Sequence, residues 1–158
     1  MDDFLFNRLE NLFTPCKAMA LREQLSLSEK GKTYLLKLRS KKECTAYHVD
    51  GDIIRDKRIE KCDYLVLVRI EENVWIEIFV ELKGADIRHA IHQLECTLTN
   101  PLFLHSACLT RNARIVSGNH IPANTGNSNI ERAKIEFKKK WNCNLQVIRS
   151  KKPDNLLC

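Results

Sequence analysis

The chain predicts an α/β architecture, more finely an α+β mixed sheet: one sheet carrying helices on its faces. Two apolar runs, Tyr64-Leu65-Val66-Leu67-Val68 and a second through Ile76, Ile78, Phe79 and Val80, flank the polar stretch Glu71-Glu72-Asn73 and read as a β-hairpin. Further along, segments of helical apolar spacing alternate with short strand-like runs. With 158 residues, 44% of them hydrophobic and 29% charged, the chain has the size of one domain with a real core.

The first element is a helix over Asp2 to Phe13, with Phe4, Leu5, Leu9, Leu12 and Phe13 at helical spacing and Pro15 as its stop. Ala18 to Leu25 is expected to be a second helical piece, so residues 1–29 form an N-terminal helical region. Lys32 to Arg39 fits helix or strand equally. Cys44 to Val49, Asp50-Gly51-Asp52 and Ile53-Ile54 predict another hairpin, because Asp-Gly favours tight turns. With Tyr64 to Lys83 this gives an antiparallel meander of three or four strands. Asp86 caps a helix to about Thr99, with Ile87, Ala90, Ile91, Leu94 and Leu98 on one stripe, and Asn100-Pro101 ends it. Arg114 to Ser117 is a short strand, and 118–129 a loop long enough to mark function or mobility. Ile130, Ala133, Phe137 and Trp141 mark a last helix, Leu145 to Arg149 a last strand, and residues 150–158 a frayed tail. The pattern is a three-stranded antiparallel meander followed by helix, strand, helix and strand, in a single domain.

Composition narrows the function classes. No apolar stretch has the length of a membrane span and the start Met1-Asp2-Asp3 is acidic, so the expectation is a cytoplasmic protein with no membrane partner. Seven cysteines, with no C-x-x-C pair, read as reduced thiols rather than a disulfide frame or zinc site. The net charge of +6 is concentrated: residues 129–158 carry eight Lys or Arg against three acids, while the rest carry 18 against 17. A basic region of this kind suits a polyanion, since neutralising phosphates releases counterions. Arg132, Lys134, Lys138, Lys139 and Lys140 are its candidate phosphate contacts; a solvated helix face is the competing reading.

The chemistry is expected at the ends of the hairpin. If the pairing is centred on Glu72, Asp63 stands across from Glu81, with Cβ atoms roughly 5 Å apart. Lys83, two residues beyond Glu81, then shares its face. An E-x-K tripeptide alone is common on solvated strands; the aligned Asp63 and the strand-ending Gly84 point instead to a site. Two such carboxylates repel when ionised, and a hard divalent cation relieves the repulsion. Mg²⁺ takes few protein carboxylates and completes its octahedron with water and phosphate oxygens. A bound water would become acidic and the phosphate polarised, while Lys83 would orient the water or stabilise growing charge.

The element order and the spacing of Asp63 and Glu81-x-Lys83 resemble the PD-(D/E)XK, or restriction-endonuclease-like, phosphodiesterase superfamily over roughly residues 30–150. The resemblance implies a restriction-endonuclease-like core, Asp63 and Glu81 as Mg²⁺ ligands (Mn²⁺ substituting), and Lys83 as the catalytic lysine. Some branches place a glutamine on the following helix, which Gln93 matches, with Thr97 where a tyrosine often stands. Many members add a glutamate from the first helix, for which Glu23 and Glu29 are the options. His89 and His92, at i and i+3 on the same helix, have no further ligands at zinc spacing. Two function classes emerge: a Mg²⁺-dependent DNA nuclease of restriction, repair or defence type, working as a homodimer or in a larger nuclease complex, and a non-catalytic nucleic-acid-binding or protein-interaction module on the same fold.

Overall fold

The computed structural model describes residues 5–72, 74–82, 86–103, 108–118 and 128–156. Along the chain run helix α1 (Leu5–Leu12), strands β1 (Lys17–Glu29), β2 (Lys32–His48), β3 (Tyr64–Glu71) and β4 (Val74–Glu81), then helix α2 (Ile87–Thr99) and a 3₁₀ turn (Pro101–Phe103). Strand β5 (Cys108–Ser117), helix α3 (Ser128–Trp141) and strands β6 (Cys143–Arg149) and β7 (Pro153–Leu156) complete it. The mixed sheet has seven strands: β1 to β4 form an antiparallel meander, β5 and β6 add in parallel beyond β4, and β7 pairs in parallel with β2.

The β3–β4 hairpin is centred on Glu72, with pairs from Tyr64↔Val80 to Arg69↔Trp75 and a shift at Glu71↔Val74. Its residues read as continuous apolar runs because both faces are buried. Leu65, Leu67, Trp75 and Phe79 enter a core shared with the helices, where Ala90, Ile91, Leu94 and Leu98 of α2, Ala133 and Phe137 of α3, and Leu9 of α1 pack. Val66, Val68, Ile76, Ile78 and Val80 enter a second core covered by β1 and β2, through Leu25, Leu27, Tyr34, Leu36 and Leu38. Long β2 serves both halves: its second part pairs with β3, and its first with β7.

Three segments differ from the sequence expectation. Ala18 to Leu25 is not helical but lies within β1, so only α1 remains of the N-terminal helical region. Its good helix formers lose to pairing with β2, and Leu25 and Leu27 alternate with exposed Gln24, Ser26 and Ser28. The Asp50-Gly51 turn forms, with Gly51 at φ +101°, yet it closes on a single Asp50↔Ile54 bridge rather than leading into a second strand. Residues 150–156 are not frayed. Asp154 of β7 is buried, and its Oδ2 accepts from Arg114 Nε (2.8 Å) and the Tyr34 hydroxyl (2.6 Å). No apolar pattern announces a strand held by one buried carboxylate.

On the helix side, Glu77 lies opposite Leu67 and is only 1% exposed; its Oε1 accepts from Arg111 Nε at 3.1 Å. Its buried charge is met by this ion pair.

Candidate functional site

Regular pairing of β3 with β4 ends at Tyr64↔Val80, one step short of Asp63 and Glu81. There the ladder slips. The Asp63 N–H donates to the Val80 carbonyl (3.1 Å), and Cys62 joins the helix-side core with Leu65, leaving two residues between them instead of one. Beyond the end of β4, the Leu82 N–H donates to Asp63 Oδ2 at 2.8 Å. The Asp63 carbonyl accepts from Val49 N–H at 2.9 Å. Asp63 is therefore tied on one side to the turn after β2 and on the other to the end of β4. Its carboxylate is half-exposed and held by a backbone donor.

Glu81, the last residue of β4, is fully buried. Strand alternation puts it on the helix side with Phe79. Helix α2 covers this region because Asp86 caps it, accepting from His89 N–H at 3.0 Å. Two side chains of α2 grip the approach to Asp63: Gln93 Nε2 donates to the Lys61 carbonyl (3.2 Å), and Thr97 Oγ1 accepts from Cys62 N–H (2.8 Å). Gln93 is 8% exposed, and its Oε1 has no hydrogen-bond partner among the described residues. Thr97 is a structural anchor here, donating as well to the Gln93 carbonyl at 2.8 Å.

Charges leave their mark on the neighbours. Burial pushes the Cys62 thiol well up, and the Glu81 and Asp63 carboxylates push it further, against a lowering bond from Thr97. The Tyr64 hydroxyl is raised first by burial, then by Glu29, with Asp63 adding to it. Of the two N-terminal glutamates, Glu29 thus reaches the residue next to Asp63, whereas Glu23 is exposed on β1. Sequence reasoning missed Lys61, a lysine only 7% exposed whose Nζ donates to the Asp56 carbonyl at 2.8 Å and lies 3.8 Å from Asp50 Oδ1. Its place in the polar Arg58-Ile59-Glu60 neighbourhood gave no signal of burial.

Other predicted residues lie elsewhere. Lys83 is outside the described residues. His89 Nε2 is 3.7 Å from Glu60, and His92 Nε2 is 3.6 Å from Cys96 Sγ, so neither joins the acids. Lys138, Lys139 and Lys140 occupy the last turn of α3, at the start of β6. Cys143 there pairs with Arg111, and Arg111 with Glu77. The lysines therefore sit about 13 Å back along the strands from the level of Glu81, and two strands across. Lys134 and Lys140 are also paired with Glu131 and Glu136 (3.5 and 3.3 Å). Arg132, nearer the helix start, is exposed.

Among the described residues no group of three or more His, Cys, Asp or Glu is placed to hold a metal. A hard cation that takes two carboxylates and fills its shell with water and phosphate oxygens does not need one. The side chains gathered at this end of the sheet offer oxygen donors of three kinds: one carboxylate takes a backbone N–H, one is fully buried, and an amide oxygen on the covering helix has no hydrogen-bond partner among the described residues. No protein-family model, no curated protein and no solved structure matches the chain.

Proposed function

We propose that this chain is a metal-dependent DNA phosphodiesterase with a restriction-endonuclease-like core, acting in restriction, repair or defence. The observation that carries this reading is the Asp63 carboxylate, fixed by the Leu82 N–H at the end of β4, one residue from buried Glu81. Element order supports it too: an antiparallel meander whose last strand is followed by a covering helix and a parallel strand.

Asp63 and Glu81 would hold Mg²⁺ or Mn²⁺, which supplies a water acidic enough to attack and a charge to polarise the phosphate. The Leu82 N–H holds the Asp63 carboxylate in one orientation. Burial of Glu81 excludes water, strengthening its attraction for a cation. Gln93 positions Asp63 by holding the Lys61 carbonyl, two residues away. Lys83 meets the charge growing on the phosphate.

The test compares wild type with Asp63→Asn, Glu81→Gln and Lys83→Ala. Plasmid, linear and single-stranded DNA are incubated with Mg²⁺, Mn²⁺ or EDTA, and melting temperature is followed with and without metal. Wild type is expected to cut with metal only and to gain stability from metal by mass action. Both acid variants are expected to lose cutting and most of the metal-induced shift; Lys83→Ala is expected to lose cutting but keep the shift. Cutting at the wild-type rate by Asp63→Asn and Lys83→Ala would overturn the reading in favour of a non-catalytic binding module.

A further inference from the structure

Two turns rich in lysine meet at the end of the sheet where Glu81 lies. The β1–β2 turn carries Lys30 and Lys32, and the β6–β7 turn is bounded by Arg149 and carries Lys151 and Lys152. They are stapled together: Lys151 N–H donates to the Thr33 carbonyl (2.9 Å), Thr33 N–H to Ser150 Oγ (2.8 Å), and Ser28 Oγ and Thr33 Oγ1 are 2.8 Å apart. Ser150 N–H in turn donates to the Ser117 carbonyl at the end of β5 (2.9 Å). All of these cations except half-buried Lys32 are exposed, and among the described residues none of the five forms an ion pair. Lys134 and Lys140 of α3, by contrast, are partly neutralised by glutamates one turn away.

Backbone geometry singles out the same turns. Lys30 (φ +51°) and Lys151 (φ +69°) stand in the left-handed region, where a residue with a Cβ is disfavoured and Gly or Asn would cost less. The turns are also close to the acids. Arg149 pairs with Ser117, and Ile115 with Glu81, so Arg149 lies about 7 Å beyond the level of Glu81 and two strands across. Lys30 comes directly after Glu29, whose charge helps raise the hydroxyl of Tyr64, the residue next to Asp63.

We propose that Lys30, Lys32, Arg149, Lys151 and Lys152 form the phosphate-binding track along which DNA is led to Asp63 and Glu81. This rests on the nuclease reading above and assigns the backbone-contacting surface to the paired turns rather than to the last turn of α3. The contacts are to phosphates, so they carry affinity and salt dependence but no base preference.

The test measures DNA binding by fluorescence anisotropy in EDTA across a salt series, for wild type and two variants. One carries Lys30→Asn, Lys32→Gln, Arg149→Gln, Lys151→Asn and Lys152→Gln, with Asn at the left-handed positions to spare the backbone. The other carries Lys138→Gln and Lys139→Gln. The five-site variant is expected to lose at least about tenfold in affinity and about three units of salt slope, since each phosphate contact contributes roughly 0.9. The α3 variant should change little. If the five-site variant fails to melt cooperatively, Lys32→Gln with Lys152→Gln, both at ordinary backbone angles, is expected to lose about half as much slope. Wild-type slope in the turn variants, or loss confined to the α3 variant, overturns the track while metal-dependent cutting would leave the nuclease reading standing. Wild type that binds phosphatidylserine vesicles but no DNA overturns both.

Discussion

At the scale of single residues, buried charge is tolerated only where a partner meets it. Arg114 is 3% exposed and donates to Asp154, to the Asn144 carbonyl (2.8 Å) and to the Ala113 carbonyl (3.1 Å). Arg114→Met is expected to cost about 3–5 kcal/mol, because it strands the Asp154 carboxylate in the core. The double change Arg114→Met with Asp154→Leu should recover most of that, and denaturant melts of both variants check it. Tyr34→Phe, which removes one bond to a charged oxygen, is expected to cost about 2 kcal/mol. Asp63 behaves differently. Asn keeps an oxygen for the Leu82 N–H and should leave the melting temperature close to wild type, whereas Asp63→Ala leaves that N–H unmet at about 1–2 kcal/mol. Equal melting of the Asn and Ala variants would show that this bond does not hold the end of β4.

At the scale of elements, those with strong local signals were legible. The helix from Ile87 to Thr99 could be read from the Asp86 cap and five apolar residues on one stripe, and the β3–β4 register from the loop position alone. Asp86→Ala is expected to cost about 1 kcal/mol and lower the melting temperature by roughly 2–4 °C. Strands β1 and β7 were illegible for different physical reasons. The helix-forming residues of β1 are overruled by pairing with β2, a contact outside any local window. β7 buries little apolar surface and depends on Asp154 finding an arginine forty residues upstream. The candidate site was legible only as positions: Asp63, Glu81 and Gln93 stand at one end of the sheet, but the slip that ties Asp63 to the Val80 carbonyl and the Leu82 N–H arises from strand geometry, not composition. The charge run of α3 stands out in the sequence because it is contiguous, whereas the turn cations are scattered along it and meet only once the sheet has formed.

At the scale of the whole molecule, the two cores enclose acids that ionise only at cost. Burial pushes Cys62 and Tyr34 well up, and Cys143 up to about 12. A raised folded pKa means that the unfolded chain loses the proton first. The stability tied to these groups is complete below the unfolded thiol value of about 9. It is lost as pH climbs from there, first through the thiols and then through Tyr34. Each group contributes up to about 1.4 kcal/mol per pH unit between its unfolded and folded values. Urea melts taken from neutral pH upward should therefore show a plateau, then a decline that Cys143→Ala makes shallower. A stability that stays flat beyond the range of the thiols would contradict this placement of the cysteines.

The pairing of residues 35–38 with 153–156 also has a kinetic side. The β3–β4 hairpin joins residues close in sequence, while the β2–β7 ladder pairs residues 118 apart in a chain of 158. It is thus expected to be the last ladder to form and the first to open. Native-state hydrogen exchange should find the amides of 35–38 and 153–156 opening together, at lower free energy than those of 65–68. The same opening would part the two lysine turns, so that the proposed grip on a polyanion would become a readout of how tightly the sheet is shut.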